Sequence, residues 1–578
     1  MNVITAVKLY LTKMTEESGP GMKILVMDKQ TTSITTMVYS QSEMLQREVY
    51  LFERLDMISA REPMKYLKCI AFLRPTKENI SLLSKELRNP RFGVYYVYWS
   101  NIVRKADIKT IAECDEYESV REVEEFYADY LAIAPHLFSL NIPVSYQDLA
   151  WDPVELLRST QGVTAVLLSL KKCPNIRYQS SSEMCKRLAE KVRDVIVTEE
   201  SLFNFKQDDI TPVLLIVDRR DDPITPLLNQ WTYQAMVHEL LTITNNRVDL
   251  SHVKDISKDL REIVLSPEHD EFYAKNLYLN YGEIGQTMKQ LMEEFQRKAK
   301  SQQKVESLAD MKNFVENYPQ FKKMSGTVCK HLVLVSDLSN TVANNNLLEV
   351  SELEQQLACQ ESHSSQLQNL RTLLNSGNVR HKDATKLVML YALRYERHSN
   401  NDIDGLLNIL KKNSMIPRIL KFRSKNSRLN ETFDTQEAVV KITKRFFKDL
   451  KGVENVYTQH VPLLRETLDD LIKGRLKETT FPFLGENSAQ ISRRIKDVIV
   501  FMIGGVTYEE ALAVHNINCS HQNVRIVLGG TTIHNSASFF TEVQNATANL
   551  PTTRHDNQFY VNLARCKKQS SSLTHFRV

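Results

Sequence analysis

Three short apolar runs constrain this chain more than any other feature of it. Thr211–Arg219 (TPVLLIVDR), Asp497–Gly505 (DVIVFMIGG) and Val524–Gly530 (VRIVLGG) each read as a buried strand bounded by turn residues. Runs that are apolar on both faces belong to parallel sheets covered by helices. Residues 220–496 separate the first run from the second, and that stretch reads mainly as helix. Met288, Leu291, Met292, Phe295 and Ala299 keep helical spacing there, as do Val461, Leu464, Leu468, Leu471, Ile472 and Leu476. A sheet without its last strands would expose an unpaired edge, so the two halves should meet. The economical reading is one split αβ domain with a helical domain inserted into it.

The first third supplies a second αβ unit. Lys23–Asp28, Tyr66–Pro75 and Val94–Ser100 predict strands, with helix-like segments at Leu45–Leu55 and Glu78–Leu87, and the unit ends near Pro143. Helical spacing of Met184, Leu188, Val192, Val195 and Ile196 then leads into the Thr211 strand. A chain of 578 residues has room for about four units of ~150 residues. Two stretches read as mobile: residues 414–451, with ten Lys/Arg against four Asp/Glu, and the polar tail from Arg554.

Composition excludes several classes. Apolar residues make up 42% and charged ones 25%, enough apolar material for large cores. The charge balance, 74 − 70 = +4, lacks the strong basic bias of a nucleic-acid binder. No run approaches the ~20 apolar residues of a membrane span. Val3, Val7, Leu11 and Met14, interleaved with Lys8 and Lys13, predict an amphipathic first helix and no signal peptide, hence a cytosolic chain. Eight scattered cysteines without a C-x-x-C pair fit reduced thiols and no disulfide framework.

The motifs of chemistry are incomplete. There is no G-x-x-x-x-G-K-[ST] loop and no G-x-S-x-G elbow. His238-Glu239 begins a zincin-like helix, but Thr242 stands where the second histidine would be. Cys329 and His331 have no second pair of metal ligands. Gly504-Gly505 and Gly529-Gly530 follow strands and could approach an anion, or simply make tight turns. The densest polar run, Asp218-Arg219-Arg220-Asp221-Asp222-Pro-Ile-Thr225-Pro226, follows a buried strand, where open αβ sheets often place ligands. Its carboxylates could hold Mg²⁺, or the run could be a structural turn in which they accept backbone amides and pair with arginine. No catalytic residue, cofactor or metal is expected, and the chain reads as a binding protein.

Leu214–Leu241 (LLIVDRRDDPITPLLNQWTYQAMVHELL) resembles the signature of the SM family, the Sec/Munc syntaxin-binding proteins. Val453–Leu464 (VENVYTQHVPLL) and the two late blocks VIVFMIGGVTYEE and VRIVLGGTTIHN fit in the same order, and the likeness fades after about Glu542. The resemblance implies an α/β, arch-shaped protein of three domains: 1–142; a split domain of 143–247 plus 478–578; and a mainly helical insert, 248–477. It implies a non-catalytic chaperone of syntaxin-type SNAREs, acting in vesicle docking and fusion on the branch serving endosomal and trans-Golgi sorting. Such a protein would be cytoplasmic and only peripherally associated with those membranes.

The resemblance also implies roles for residues. Asp218, Arg219, Asp222, Thr225 and Pro226 match the signature and would serve domain architecture. Tyr130, Leu131 and Ile133, in Asp129–His136, would line an apolar pocket for a syntaxin N-terminal peptide on the outer face of the first domain; otherwise they are two faces of a core strand. Glu53 and Arg54 (VYLFERLD) resemble a helix facing the SNARE-binding cavity, against the plainer reading of an exposed charged helix face. Pro319 and Phe321 resemble the turn of a helical hairpin that contacts SNARE helices, with Pro319 as hinge or ordinary helix stop. Two other classes remain open: a phosphate-binding αβ enzyme using the Gly-Gly turns and Asp222, and a generic tethering scaffold.

Overall fold

A computed structural model of the chain describes residues 1–550 apart from 58–61, 207–209, 303–307, 360–361, 412, 425–456, 458 and 486–493. Much of the basic stretch and the polar tail, both expected to be mobile, therefore lies outside the described residues.

Helix α1 (Val3–Glu17) leads into a parallel sheet of β1 (Lys23–Met27), β2 (Val49–Arg54), β3 (Met64–Leu73), β4 (Phe92–Trp99) and β5 (Val120–Glu125), in the order β2-β1-β3-β4-β5. The connections carry α2 (Lys29–Val38), α3 (Gln41–Gln46), α4 (Lys77–Arg88) and α5 (Lys105–Cys114). The three predicted strands are β1, β3 and β4. The predicted helix at Leu45–Leu55 is corrected: α3 stops at Gln46, Glu48 turns the chain at φ 64°, and β2 follows. Val49-Tyr-Leu-Phe is aromatic and aliphatic, and pairing with β1 outweighs any helical preference.

The second sheet begins earlier than the expected boundary at 142. It takes β6 (Leu131–Ala134) and β7 (Leu137–Ser139), and after the small hairpin of β8 (Tyr146–Gln147) and β9 (Ala150–Trp151) it continues through α6 (Pro153–Ser169), β10 (Asn175–Tyr178), α7 (Glu183–Thr198) and β11 (Val213–Asp218). The chain then leaves through α8 (Tyr233–Leu241), a ribbon of β12 (Arg247–Asp249) and β13 (Glu262–Val264), and the helices α9 (Glu271–Asn276), α10 (Tyr281–Gln302) and α11 (Leu308–Asn344). Further helices follow: α12 (Leu347–Cys359), α13 (His363–Asn375), α14 (His381–Tyr395), α15 (Ile403–Ile409), α16 (Met415–Phe422) and α17 (Leu463–Ile472). It returns as β14 (Asp497–Ile503), α18 (Tyr508–Ser520), β15 (Arg525–Gly530) and α19 (Ser536–Ala546).

The strand order β10-β11-β14-β15-β7-β6 places both late strands in the middle of the sheet. β11 and β14 run parallel from Val213↔Val498 to Asp218↔Ile503. The unpaired edge inferred from sequence is thus closed by strands from the far end of the chain. Gly529 permits the closest approach, since a Cβ there would lie 2.0 Å from the Phe138 ring of β7. A continuous apolar core runs from α1 through this sheet into α12, α14 and α16. Among the described residues no helix is long and apolar enough to cross a membrane.

Candidate functional site

Where β11 ends, the polar run becomes a buried hub. Asp218 accepts the Tyr146 hydroxyl at 2.7 Å, the Ser182 hydroxyl at 2.5 Å, and the Arg220 guanidinium at 2.7 Å. Burial would raise its carboxyl, but Arg220 and Ser182 outweigh that and hold it below the usual range. Arg219 is wholly buried and points the other way. It donates to the carbonyls of Gly505 (3.1 Å) and Asp222 (3.0 Å) and pairs with Glu510 at the start of α18. Glu510 and Asp222 keep that guanidinium charged against the cost of burial.

Asp222 extends the hub into the insert. It accepts Thr225 N–H at 3.1 Å, the Thr225 hydroxyl at 2.6 Å, and Leu463 N–H at the start of α17 at 3.2 Å. Because the Thr225 hydroxyl donates to Asp222, its oxygen is left to accept a hydrogen bond from His460 Nε2–H, 3.0 Å away. Pro226 is buried in the next short turn. The five signature residues therefore come together, bonded to groups from β8, α7, α18 and the segment before α17. Both Asp222 oxygens and both Asp218 oxygens are occupied by protein donors, which suits a clamp between elements and not a general base.

A second buried cluster, which sequence reasoning did not single out, fixes the insert. Lys386 of α14 lies 3.1 Å from Glu354 of α12, 3.6 Å from Asp383 and 3.9 Å from Glu239 of α8, and donates to Asn229 Oδ1 at 2.6 Å. Lys382 also reaches Glu239 at 3.2 Å and Arg380 reaches Asp383 at 2.6 Å, and burial, with Asp383 nearby, pushes Glu354 up to about 7 against the pull of Lys386. Glu239 also accepts Ser536 N–H of α19 at 2.8 Å. Tyr457 and residues 459–463 form a strap over this region. The Tyr457 ring packs tilted against Trp231, with centroids 5.5 Å apart and 43° between the planes, and the backbone amides of Gln459 and His460 donate to Gln355 Oε1 at 3.0 and 2.8 Å. The block VENVYTQHVPLL was the signal for the strap; Lys386 left none, since its partners are spread along the chain.

The expected binding surfaces need correction. Tyr130 is 1% exposed and Leu131 and Ile133 are 8% exposed. β6 pairs with β7 at the sheet edge and is covered by α1 and α2, while the Tyr130 hydroxyl meets Ser169 Oγ at 2.8 Å. These residues are interior, the core-strand reading, and not an outer pocket. Glu53 and Arg54 are half-buried on β2, a strand and not a helix, and Arg54 bonds Asp56 at 3.0 Å. Position 319 lies inside the continuous helix α11 and is neither stop nor turn. Two residues further on, Phe321 stacks on Phe295 of α10 at 5.2 Å between centroids. Neither pair shares a site with the hub.

The remaining chemical candidates resolve structurally. Gly504 and Gly505 take φ of 78° and 82°, and a Cβ at either would lie within 2.5 Å of the side chain of Tyr146 or His534, so the pair serves a tight, closely packed turn. His238 is buried, with burial lowering it to about 4, and faces the Ile533 carbonyl at 3.3 Å. His331 bridges Asp270 (2.9 Å) and the Tyr233 hydroxyl (2.8 Å). Among the described residues one group of three carboxylates, Glu17, Glu122 and Glu124, could offer oxygens to a cation. Lys13 already stands 2.9 and 3.0 Å from two of them.

A sheet split in sequence and closed by strands from the far end of the chain is tied to the intervening helices by a buried aspartate–arginine hub, which defines an α/β scaffold with a helical insertion. The model of the Sec1 family matches residues 23–542, and the chain belongs to that family. It is 60% identical over 551 residues to human "Vacuolar protein sorting-associated protein 45", covering 94% of this chain and 96% of that one. The Saccharomyces cerevisiae protein of the same name is 37% identical, covering 91% and 94%. The structure "SM Protein Vps45 in Complex with Qa SNARE Tlg2" superposes with a TM-score of 0.89 at 45% identity, covering 95% of this chain and 98% of that one.

Proposed function

We propose that this chain is a SNARE-binding regulator of vesicle docking and fusion, acting in endosomal and trans-Golgi protein sorting. It holds a Qa-type, syntaxin-like SNARE and templates assembly of the helical bundle by binding alone. The observation that carries this reading is end-to-end similarity to an SM protein solved with the Qa SNARE Tlg2. The hub supports a role without catalysis, because its carboxylates and arginine are consumed by contacts between elements. We place the working units at the first αβ unit, the split sheet and the helical insert. The SNARE helices would lie between the first unit, with Glu53 and Arg54 on β2, and the α10–α11 hairpin bearing Phe321. Recruitment to endosomal and Golgi membranes would then be peripheral, through the SNARE.

The test is titration of the purified chain with the cytosolic part of an endosomal Qa-SNARE and with an exocytic one as control. Saturable binding of the endosomal SNARE alone supports the reading. Absence of binding to either, or ATP or GTP turnover that Asp222→Asn abolishes, overturns it.

A further inference from the structure

The described contacts between the first αβ unit and the ribbon–helix base of the insert include a small ionic group. Lys8 of α1 lies 3.4 Å from Glu43 of α3 and 3.7 Å from Glu268, in the loop between β13 and α9. His269 Nε2 stands 3.4 Å from the other Glu43 oxygen. Asn245, in the loop before β12, donates to Ser33 of α2 at 3.2 Å. The four ionic side chains are each about a third exposed, so no single pair locks the interface.

The next residue carries the contact into the hairpin. Asp270 caps α9 through Tyr273 N–H at 3.0 Å, and its carboxylate holds Lys330 and His331 of α11. His331 is wholly buried and also meets the Tyr233 hydroxyl of α8. Residues 268–270 thus grip the first unit on one side and the shaft of α11 on the other. From His331 to Leu308, α11 runs a further 23 residues. At 1.5 Å per residue this is a lever of ~35 Å, so a rotation of about 5° at its base moves its tip by ~3 Å.

We propose that Lys8, Glu43, Glu268 and His269 are positioning residues that set the separation between the first unit and the hairpin, and hence the width of the space offered to SNARE helices. The last step rests on the proposed SNARE-binding function; the first does not. The exposed, multi-partner geometry suits an adjustable contact, and the buried Asp270–His331 pair transmits it rigidly to α11.

The experiment measures distance in the full chain without SNARE, by electron–electron resonance between spin labels on p-acetylphenylalanine at exposed positions 109 (α5) and 296 (α10), the latter beside the Phe295–Phe321 contact. Lys8→Glu, which sets three carboxylates against one another, should broaden the distribution and move its mean by roughly 1–2 Å, the swing of a 5° rotation at the level of Phe321, about 15 Å along α11 from His331. Lys8→Glu/Glu268→Lys, which restores opposite charges, should return it toward wild type. Should Lys8→Glu melt below wild type, Glu43→Gln is read by the same criterion, since glutamine keeps the cap on Ser40 N–H. A charge-reversed or neutralised chain that overlays wild type, or a double variant that shows no return, overturns the proposal. In parallel, Lys8→Glu should weaken binding of a cytosolic Qa-SNARE by roughly two- to fivefold, with recovery in the double variant. Distance changes in a chain that binds no SNARE would keep the latch and reject the function on which its consequence rests.

Discussion

Arg219→Met is the sharpest test of the hub. The substitution keeps volume and apolar stem but removes the cation, leaving Glu510 buried without its partner and two carbonyls without a donor. Breaking a buried ion pair from one side costs about 3–5 kcal/mol. For a cooperative unit of 150–250 residues, each kcal/mol is worth ~2–4 °C, so melting should fall by about 10 °C. The loss should depend on pH. Burial already pushes the Glu510 carboxyl above its ordinary value, and without Arg219 it rises further. A folded-state pKa above the unfolded one means that stability is lost as pH rises through the folded value, so the gap to wild type should be wider at pH 8 than at pH 5.5. Arg219→Met/Glu510→Gln keeps the helix cap on Thr507 N–H and removes the orphan charge, and should recover part of the loss. The assay is thermal melting by circular dichroism of the three variants and wild type at both pH values. A single variant melting within ~2 °C of wild type at pH 8, or a double variant no better than the single, would refute the clamp.

Leu131→Arg should behave as a core lesion: an unpaired charge against α1 and α2 should cost upwards of about 3 kcal/mol and lower melting and soluble yield together, whereas a normal melting curve would return the residue to the surface. Glu542, held up to about 8 by burial, contributes stability below pH 4.5 that is lost as pH rises through 8. Glu542→Gln should therefore melt above wild type at pH 8.5, with the advantage gone by pH 5, and equal melting at pH 8.5 would contradict it. His136 and His238, lowered by burial to about 4, should stay neutral in a histidine NMR titration down to pH 5, so that acid stability is lost only as pH falls from 6.5 toward 4; either imidazole titrating near 6.5 would show that it is solvated. Phe295→Ala should loosen the stacked contact with Phe321 and speed limited proteolysis within the α10–α11 hairpin, with unchanged cleavage the opposing result.

What the sequence disclosed depended on where the covering atoms come from. β1, β3, β4, β11, β14 and β15 are inner strands of their sheets and mostly buried, so each carries a run of apolar residues that can be read without knowing its partners. β2 and β6 lie at sheet edges. The charged end of β2, Glu53-Arg54, imitates a helix face, and β6 is four residues long with its cover supplied by α1 and α2, far upstream. Position 319 misled for a related reason: a proline is a local signal of a helix end, and the helix that runs from Leu308 to Asn344 is longer than that signal reaches. The hub divides the same way. Its aspartates and arginines announce themselves as a dense polar run after a strand, equally suited to binding an ion or making a turn. What decides between those is the identity of the partners, and Tyr146, Leu463 and Glu510 stand 72, 241 and 291 residues away from the groups they meet. Once those partners are in place, no carboxylate oxygen of Asp218 or Asp222 is left over for a ligand, and the run that looked most like chemistry becomes the reason the inserted helices hold a fixed position on the sheet. The adjustable contact belongs elsewhere, at the exposed Lys8–Glu43–Glu268 group, where the ion pairs are weak enough to yield.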